Sequence, residues 1–395
     1  MSNTYTVGDL LTVKVEKIVP RGFGLGFAEK LTVFVPLSAP GDVVTVRITH
    51  LKKRTAFAEI VDLQTPGPAR VDPPCPYFGT CGGCNFQQLS YRAQLRAKVD
   101  IIEDCLIRIG KLGTVPEIKM IPSPQEYAYR SRVRWQIDSS GQKFGYYRRD
   151  SNDVVDVEVC PVLSPPLGDL LRNVRATMDW NNFLDNAEVV AACGDEGSVS
   201  VRSSVGVDAA DEIVNTVSGE SYTFSAEAFF QANHLLLPDL IECATGGANG
   251  ATALDLYSGV GLFSIPLARR VAKVISVEGD PQAVEFAKKN VKLANLSNLR
   301  VLRDSVGRFL SQKRWEADFI LIDPPRIGTE KGVIESIISI GPSHISYVSC
   351  EPSILARDLR TMVDGGYAIE SITALDLFPQ THHVETVVRL RNTRR

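Results

Sequence analysis

Three side chains in the C-terminal part of this chain have the types and surroundings for covalent chemistry. Cys350 sits in Ile345-Ser346-Tyr347-Val348-Ser349-Cys350-Glu351-Pro352, at the end of a short β-prone run. A thiol leaving a strand edge beside a ligand cleft is a candidate nucleophile. Free cysteine is also among the most buried residue types, so plain packing is the competing reading. Glu385 lies near the start of a later strand-like stretch and could act as a general base. Asp323 ends another apolar run, in Asp323-Pro324-Pro325-Arg326. The prolines fix the backbone there and leave carbonyls free to accept from a base or an amine. The alternative is a rigid turn carrying a surface aspartate.

A second set is Cys75-x5-Cys81-x2-Cys84, with Cys160 in Val159-Cys160-Pro161 as a possible fourth thiolate. Four thiolates suit either tetrahedral zinc or an iron–sulfur cluster. Cys105, Cys193 and Cys243 sit in apolar or unremarkable contexts and read as packing.

The elements that must position these groups fall into three parts. Residues 6–63 alternate with period 2, broken by Gly22, Gly24 and Gly26 and by a turn at Pro40-Gly41-Asp42. Several short strands with Gly and Pro punctuation predict a small barrel over residues 1–66. Residues 65–70, Thr-Pro-Gly-Pro-Ala-Arg, read as a linker. Residues 67–225 form a mixed α+β central domain that holds the cysteine set, with a helix over about 92–110 expected to pack on the catalytic domain. Residues 226–395 alternate strands and helices, which predicts an α/β fold with a mostly parallel sheet.

The chain has 395 residues, 44% hydrophobic and 23% charged, which is ordinary for a globular protein. No apolar run is long enough to span a membrane and the N-terminus is polar, so a cytoplasmic protein without a membrane partner is expected. Eight cysteines in such a chain point to metal or catalysis rather than a disulfide scaffold. The net charge of −3 gives no global basic field, so any polyanion must be held by local patches.

Asp255-Leu256-Tyr257-Ser258-Gly259-Val260-Gly261 is a strand followed by a glycine turn and a predicted helix over 262–270. Glycines let the backbone approach a ligand, and a helix start offers unpaired N–H groups. Glu278 ends the next strand, where a ribose-binding carboxylate belongs. Ser264 stands where the third glycine of a dinucleotide fingerprint would be, which argues against NAD. With Asp255 ahead of the glycines, the segment resembles S-adenosylmethionine-dependent methyltransferases.

A methyltransferase has a use for a thiol when its target is uracil C5, a poor nucleophile. Thiolate attack on C6 makes an enolate whose C5 accepts a methyl group, and a base must then remove the C5 proton. The sequence resembles the RNA uridine-C5 methyltransferase family, especially its 23S ribosomal RNA members. The matching residues are Phe229-Phe230-Gln231-Ala232-Asn233, the Asp255–Gly261 segment, Asp323-Pro324-Pro325-Arg326, Val348-Ser349-Cys350-Glu351-Pro352 and His382-His383-Val384-Glu385-Thr386. With the barrel, which resembles a TRAM domain, and the cysteine set, they cover nearly the whole chain in order.

The resemblance implies a Rossmann-like class I methyltransferase domain behind a TRAM, OB-like barrel. It implies Cys350 as nucleophile and Glu385 as C5 base. It implies that Gln231, Tyr257, Gly259, Glu278, Asp304 and Asp323 line the S-adenosyl-L-methionine pocket, with Leu262 contributing backbone where the family often has Asn. Asp323 can also serve the target base, and His382 and His383 are weaker site candidates. For Cys75, Cys81, Cys84 and Cys160 the family pattern implies a [4Fe-4S] cluster, structural or in RNA contact. A radical enzyme that cleaves S-adenosylmethionine usually carries Cys-x3-Cys-x2-Cys, and the longer first gap here argues against it.

RNA contact is expected from the barrel and from Tyr129-Arg130-Ser131-Arg132-Val133-Arg134-Trp135, where Arg130, Arg132 and Arg134 share one face of a strand. An edge strand protected by charge is the competing reading. The target uridine should be flipped from its stack. A 23S rRNA substrate is favoured, because the bacterial transfer-RNA branch typically lacks barrel and cysteines. A tRNA substrate is the enzymatic alternative, and an RNA-binding protein with a structural metal the non-enzymatic one. A monomer is expected.

Overall fold

The computed structural model describes residues 5–182, 187–202, 210–312 and 315–394. Period-2 alternation closes the N-terminal unit into a barrel of strands Leu10–Val19, Phe23–Ala28, Leu31–Val35, Thr55–Thr65 and Val43–Lys52. Every second residue points inward, so Val13, Val15, Val33, Val35, Val44, Val46 and Ile48 fill the barrel. Residues 65–70 differ from the predicted linker. Arg70 grips the fully buried carboxylate of Asp42 at 2.6 Å, and the Gly67 amide donates to the same group at 2.8 Å. The segment is therefore a strap pinned to the barrel, because a buried carboxylate needs these donors.

The middle of the chain builds an antiparallel sheet in the order Val199–Arg202, Glu188–Cys193, Arg132–Asp138, Lys143–Tyr147, Val154–Asp156. Trp135, Phe144 and Leu167 anchor its core, with helix Pro165–Thr177 laid against it.

The C-terminal part forms an eight-stranded sheet in the order Leu299–Arg303, Lys273–Glu278, Thr252–Leu256, Phe319–Ile322, His344–Ser349, Glu385–Asn392, Tyr367–Leu375, Ile118–Ile121. The first five strands run parallel, and all but the edge strand Leu299–Arg303 are mostly apolar, largely buried runs, as central parallel strands must be. Glu385–Asn392 enters antiparallel beside His344–Ser349, which sets Thr386 opposite Ser349. That pairing brings the start of one strand to the end of the other, so Glu385 and Cys350 reach the same sheet edge.

The parts of the fold do not follow the chain in blocks. Ile118–Ile121, which the sequence places in the central domain, pairs parallel with Tyr367–Leu375 at the edge of the large sheet. Four residues of mixed polarity carry no signal for so distant a partner. Helix Tyr91–Arg108 packs on helix Pro352–Asp364, its Ile102 and Leu106 sharing a core with Leu355 and Leu359. The hairpin Ile213–Val217 and Glu220–Phe224 packs on helix Pro281–Leu293. There the buried Asn290 amide bonds the Thr223 backbone and the Val260 carbonyl, tying hairpin to glycine turn. No helix among the described residues is long and apolar enough to cross a membrane.

Candidate active site

The glycine turn begins at Asp255, whose carboxyl is fully buried under it. Burial, opposed by a hydrogen bond from Ser264 and aided by the Glu278 charge, pushes this carboxyl up to about 7. The Ser264 hydroxyl donates to Asp255 Oδ2. Ser264 at the third-glycine position therefore has a job that glycine could not do. The Tyr257 and Ser258 amides both donate to Val277 O, and the Ser258 hydroxyl meets that of Ser276 at 2.7 Å. Gly261 has φ +98, a left-handed conformation open to glycine. A side chain at Gly259 would meet nothing within 4 Å, so open space for a ligand lies over that backbone.

Glu278 is held from both sides. Its Oε2 accepts from the Gly259 amide and its Oε1 from the Asp280 amide, each at 2.8 Å. The carboxylate is thereby fixed beside the glycine turn, with lone pairs left for hydroxyl donors. Gln231 is buried. The Tyr257 hydroxyl donates to Glu330, a partner 73 residues away that no sequence pattern marks. Leu262 is buried and its carbonyl accepts from Tyr222 at 3.2 Å, so it acts through backbone and packing. Asp304 hydrogen-bonds Glu278 through its backbone, while its carboxylate takes Arg308 Nε and Gln312 Nε2.

Asp323, Cys350 and Glu385 come together at the carboxyl end of the sheet, where open α/β folds bind ligands. Burial pushes the Cys350 thiol up to about 12, and the Glu385 and Asp323 charges add to this. Burial and Asp323 likewise hold the Glu385 carboxyl well above the usual carboxylate range. Asp323 is pushed up to about 8 by burial, then by Asp255 and Glu278. Arg326 works the other way: its charge favours the ionised forms of both Cys350 and Glu385. Arg326 is a site residue that the motif Asp323-Pro324-Pro325-Arg326 carried in plain view, yet neither its type nor its spacing marked it as facing the thiol.

His383 Nε2 lies 3.4 Å from Arg326 Nη1, and the His382 and His383 rings lie 4.1 Å apart. Burial lowers His382 to about 4 and His383 to about 2, so both rings are neutral near pH 7.

Cys75, Cys81, Cys84 and Cys160 line one cavity with Tyr77, Arg130 and Tyr146. The Tyr146 hydroxyl donates to Cys160 Sγ at 3.7 Å and the Gly83 amide to Cys81 Sγ at 3.4 Å. Burial pushes Cys81 up to about 11 and Cys84 to about 12, and it raises Cys75. Among the described residues, no three His, Cys, Asp or Glu side chains converge as a site for one metal ion. The four thiols line one shared cavity, with Arg130 beside them.

The expected basic face is spent internally. Arg130 precedes its strand and turns into the cysteine cavity. Arg132 Nη1 donates to the Ala226 and Ala228 carbonyls, each at 2.8 Å. Arg134 pairs with Glu188 at 3.0 Å and remains largely exposed. Arg132 and Arg134 alternate with the buried Val133 and Trp135, but the cysteine cavity takes the Arg130 guanidinium and buried carbonyls take that of Arg132.

The tRNA (Uracil-5-)-methyltransferase family matches residues 204–393, and the TRAM domain matches residues 5–61. A 23S rRNA (uracil(1939)-C(5))-methyltransferase RlmD of Salmonella choleraesuis is 32% identical over 97% of this chain and 96% of its own length. An uncharacterized RNA methyltransferase of Aquifex aeolicus is 32% identical over 96% of this chain and 98% of its own. The crystal structure of Pyrococcus abyssi tRNA (uracil-54, C5)-methyltransferase with S-adenosyl-L-homocysteine superposes with a TM-score of 0.76 at 27% identity, covering 96% of this chain and 100% of that one.

Proposed function

Because the chain belongs to the RNA uracil-5-methyltransferase family, we propose that it methylates uridine C5 in 23S rRNA with S-adenosyl-L-methionine as donor, acting in the cytoplasm. The observation that carries the reading is the meeting of Cys350, Glu385 and the Asp323–Arg326 turn at one sheet edge. Arg326 stabilises the Cys350 thiolate, which adds to uracil C6 and pushes an electron pair onto the C5 enolate. S-adenosylmethionine, when bound by the Gly259 turn and Glu278, supplies the methyl group from a sulfonium whose positive charge lowers nearby carboxyl pKa values. Glu385, whose ionised form the Arg326 charge favours, then removes the proton from C5. The C6–S bond then breaks, restoring the ring double bond and the thiolate. Burial of Glu385 keeps water away while the adduct stands.

A second reading, the same chemistry on tRNA, is favoured by one observation: the Pyrococcus abyssi tRNA enzyme overlays along its full length. Of the strand arginines, Arg134 is the one we assign to RNA contact, because its side chain is open to solvent. For Cys75, Cys81, Cys84 and Cys160 we propose a [4Fe-4S] cluster with a structural role. The support is four half-buried thiols around one cavity.

RNA carrying 5-fluorouridine tests the chemistry, since fluorine at C5 cannot leave as a proton. Wild-type protein with methyl donor should form a stable covalent adduct that Cys350→Ala cannot form. No adduct from protein that binds the donor would sink the thiol mechanism. Mapping 5-methyluridine in total RNA from a deletion strain names the substrate and separates 23S rRNA from tRNA.

A further inference from the structure

Asn85 directly follows the last cysteine of the Cys75–Cys84 set and reaches across to the loop that leads into Glu385. Both ends of its amide are used there. Oδ1 accepts from the His382 amide at 2.9 Å, and Nδ2 lies 2.7 Å from His382 Nδ1. The backbone amides of Asn85 and Phe86 both donate to Gln380 O, at 3.1 and 3.0 Å. The amide N–H is a donor, so His382 Nδ1 must accept and the ring proton sits on Nε2. The tautomer and ring orientation of His382 are thus set by a residue from a distant segment.

From His382 the contacts lead toward the nucleophile. Its ring lies against His383, whose Nε2 accepts from Arg326, and the Arg326 charge favours the ionised form of the Cys350 thiol. The barrel closes the same knot from the other side. Gly22, at φ +76 in the turn after Leu10–Val19, lies so close that a Cβ there would fall 2.8 Å from Asn85 Nδ2 and 3.0 Å from both His382 Cβ and Phe86 Cε1. The barrel, the cysteine segment and the catalytic loop therefore meet at one hydrogen-bonded point.

We propose that Asn85 is a positioning residue for the nucleophile: by fixing the His382 ring it holds His383 and Arg326 in place against the Cys350 thiol. The inference rests on Cys350 being the nucleophile. It gives the cysteine segment a mechanical connection to the chemistry without any redox step. It also accounts for the glycine at Gly22, which is needed both for its left-handed backbone and for the space that Asn85 occupies.

The test is the rate at which iodoacetamide alkylates Cys350 in the full-length protein without RNA, read by peptide mass spectrometry, together with kcat and KM on RNA. Asn85→Ala should slow Cys350 alkylation and lower kcat by about 10-fold, because the Arg326 charge that favours the thiolate is no longer held in place. KM for the methyl donor and affinity for S-adenosylhomocysteine should stay at the wild-type value. Gly22→Ala disturbs the knot from the barrel side, leaves the cysteine segment intact and should give the same signature. Combined with His382→Ala, Asn85→Ala should be non-additive in kcat. Wild-type alkylation rates in both variants would overturn the proposal, as would parallel losses of donor affinity and kcat. Failure of the wild-type protein to form the 5-fluorouridine adduct would instead overturn the reading of Cys350, so the two failures are distinguishable.

Discussion

Lys98 and Asp376 form an ion pair from which water is wholly excluded, both side chains being 0% exposed. Lys98 belongs to helix Tyr91–Arg108 and also donates to Phe378 O at 3.0 Å, while Asp376 opens the segment leading to Glu385. Gln94, one turn earlier, exchanges amide bonds with Gln380 in the same segment. The helix therefore holds the catalytic loop by its buried polar side chains, while its apolar ones face the core.

Removing one partner leaves the other charge buried alone. Lys98→Met is expected to cost roughly 3–5 kcal/mol in urea unfolding. The double variant Lys98→Met with Asp376→Leu should recover most of that loss. A Lys98→Met protein as stable as wild type would show that Asp376 finds another partner.

Glu385→Gln keeps the shape of the site and removes the base. On ordinary RNA this variant should accumulate a methylated covalent adduct, seen as a protein–RNA band resistant to denaturation. Free 5-methyluridine appearing at the wild-type rate would rule Glu385 out as the base.

The buried carboxyls make stability fall as pH rises. In the unfolded chain Asp255 ionises at about 4, whereas the folded protein holds its proton up to about 7. The folded state thus binds the extra proton between those values, and its stabilising share is complete below the lower one and lost on rising through the upper. Asp323, pushed up to about 8, extends the window. Asp255→Asn keeps an acceptor for Ser264 and should flatten the decline in urea midpoint between pH 5 and pH 7. An unchanged slope would remove Asp255 from the account.

Gly261→Ala tests the turn by strain alone, since its Cβ would only graze Ala287 and Ser264 at 4.0 Å. Forcing φ +98 on alanine costs about 1–2 kcal/mol. S-adenosylhomocysteine affinity by calorimetry should fall roughly 5- to 30-fold if that strain is relieved by opening the turn. Wild-type affinity would mean that the turn tolerates the strain.

Anaerobically purified protein should carry on the order of four irons and four sulfides per chain. Cys81→Ser should lower both without weakening the methyl-donor site, which lies on a separate part of the fold. Stoichiometric zinc in place of iron would overturn the cluster.

Much of the site was legible because parallel strands are apolar runs, and the residue that ends each run stands out. Asp255, Glu278, Asp323 and Cys350 were all found at or beside such strand ends. The barrel was legible from alternation and glycines. What the sequence hid is pairing at long range. Lys98 lies in the predicted helix, yet its partner is 278 positions away; Asn85 meets His382 at a separation of 297. Arg130 and Arg132 alternated like a basic face, but which buried acceptors would claim them is decided by tertiary packing.

The strand Ile118–Ile121 has a consequence for how the protein is made. It emerges from the ribosome before every other strand of the large sheet, and its partner Tyr367–Leu375 emerges almost last. The nascent chain must carry this short edge unpaired through nearly all of its synthesis. Its brevity and the charge at Lys119 guard it from pairing with another chain meanwhile. A gene fragment that starts at the catalytic half would yield a sheet with a raw edge along Tyr367–Leu375 and no helix Tyr91–Arg108 to cover its core. Such a fragment should self-associate, so the two halves of the chain cannot be exchanged as separate modules.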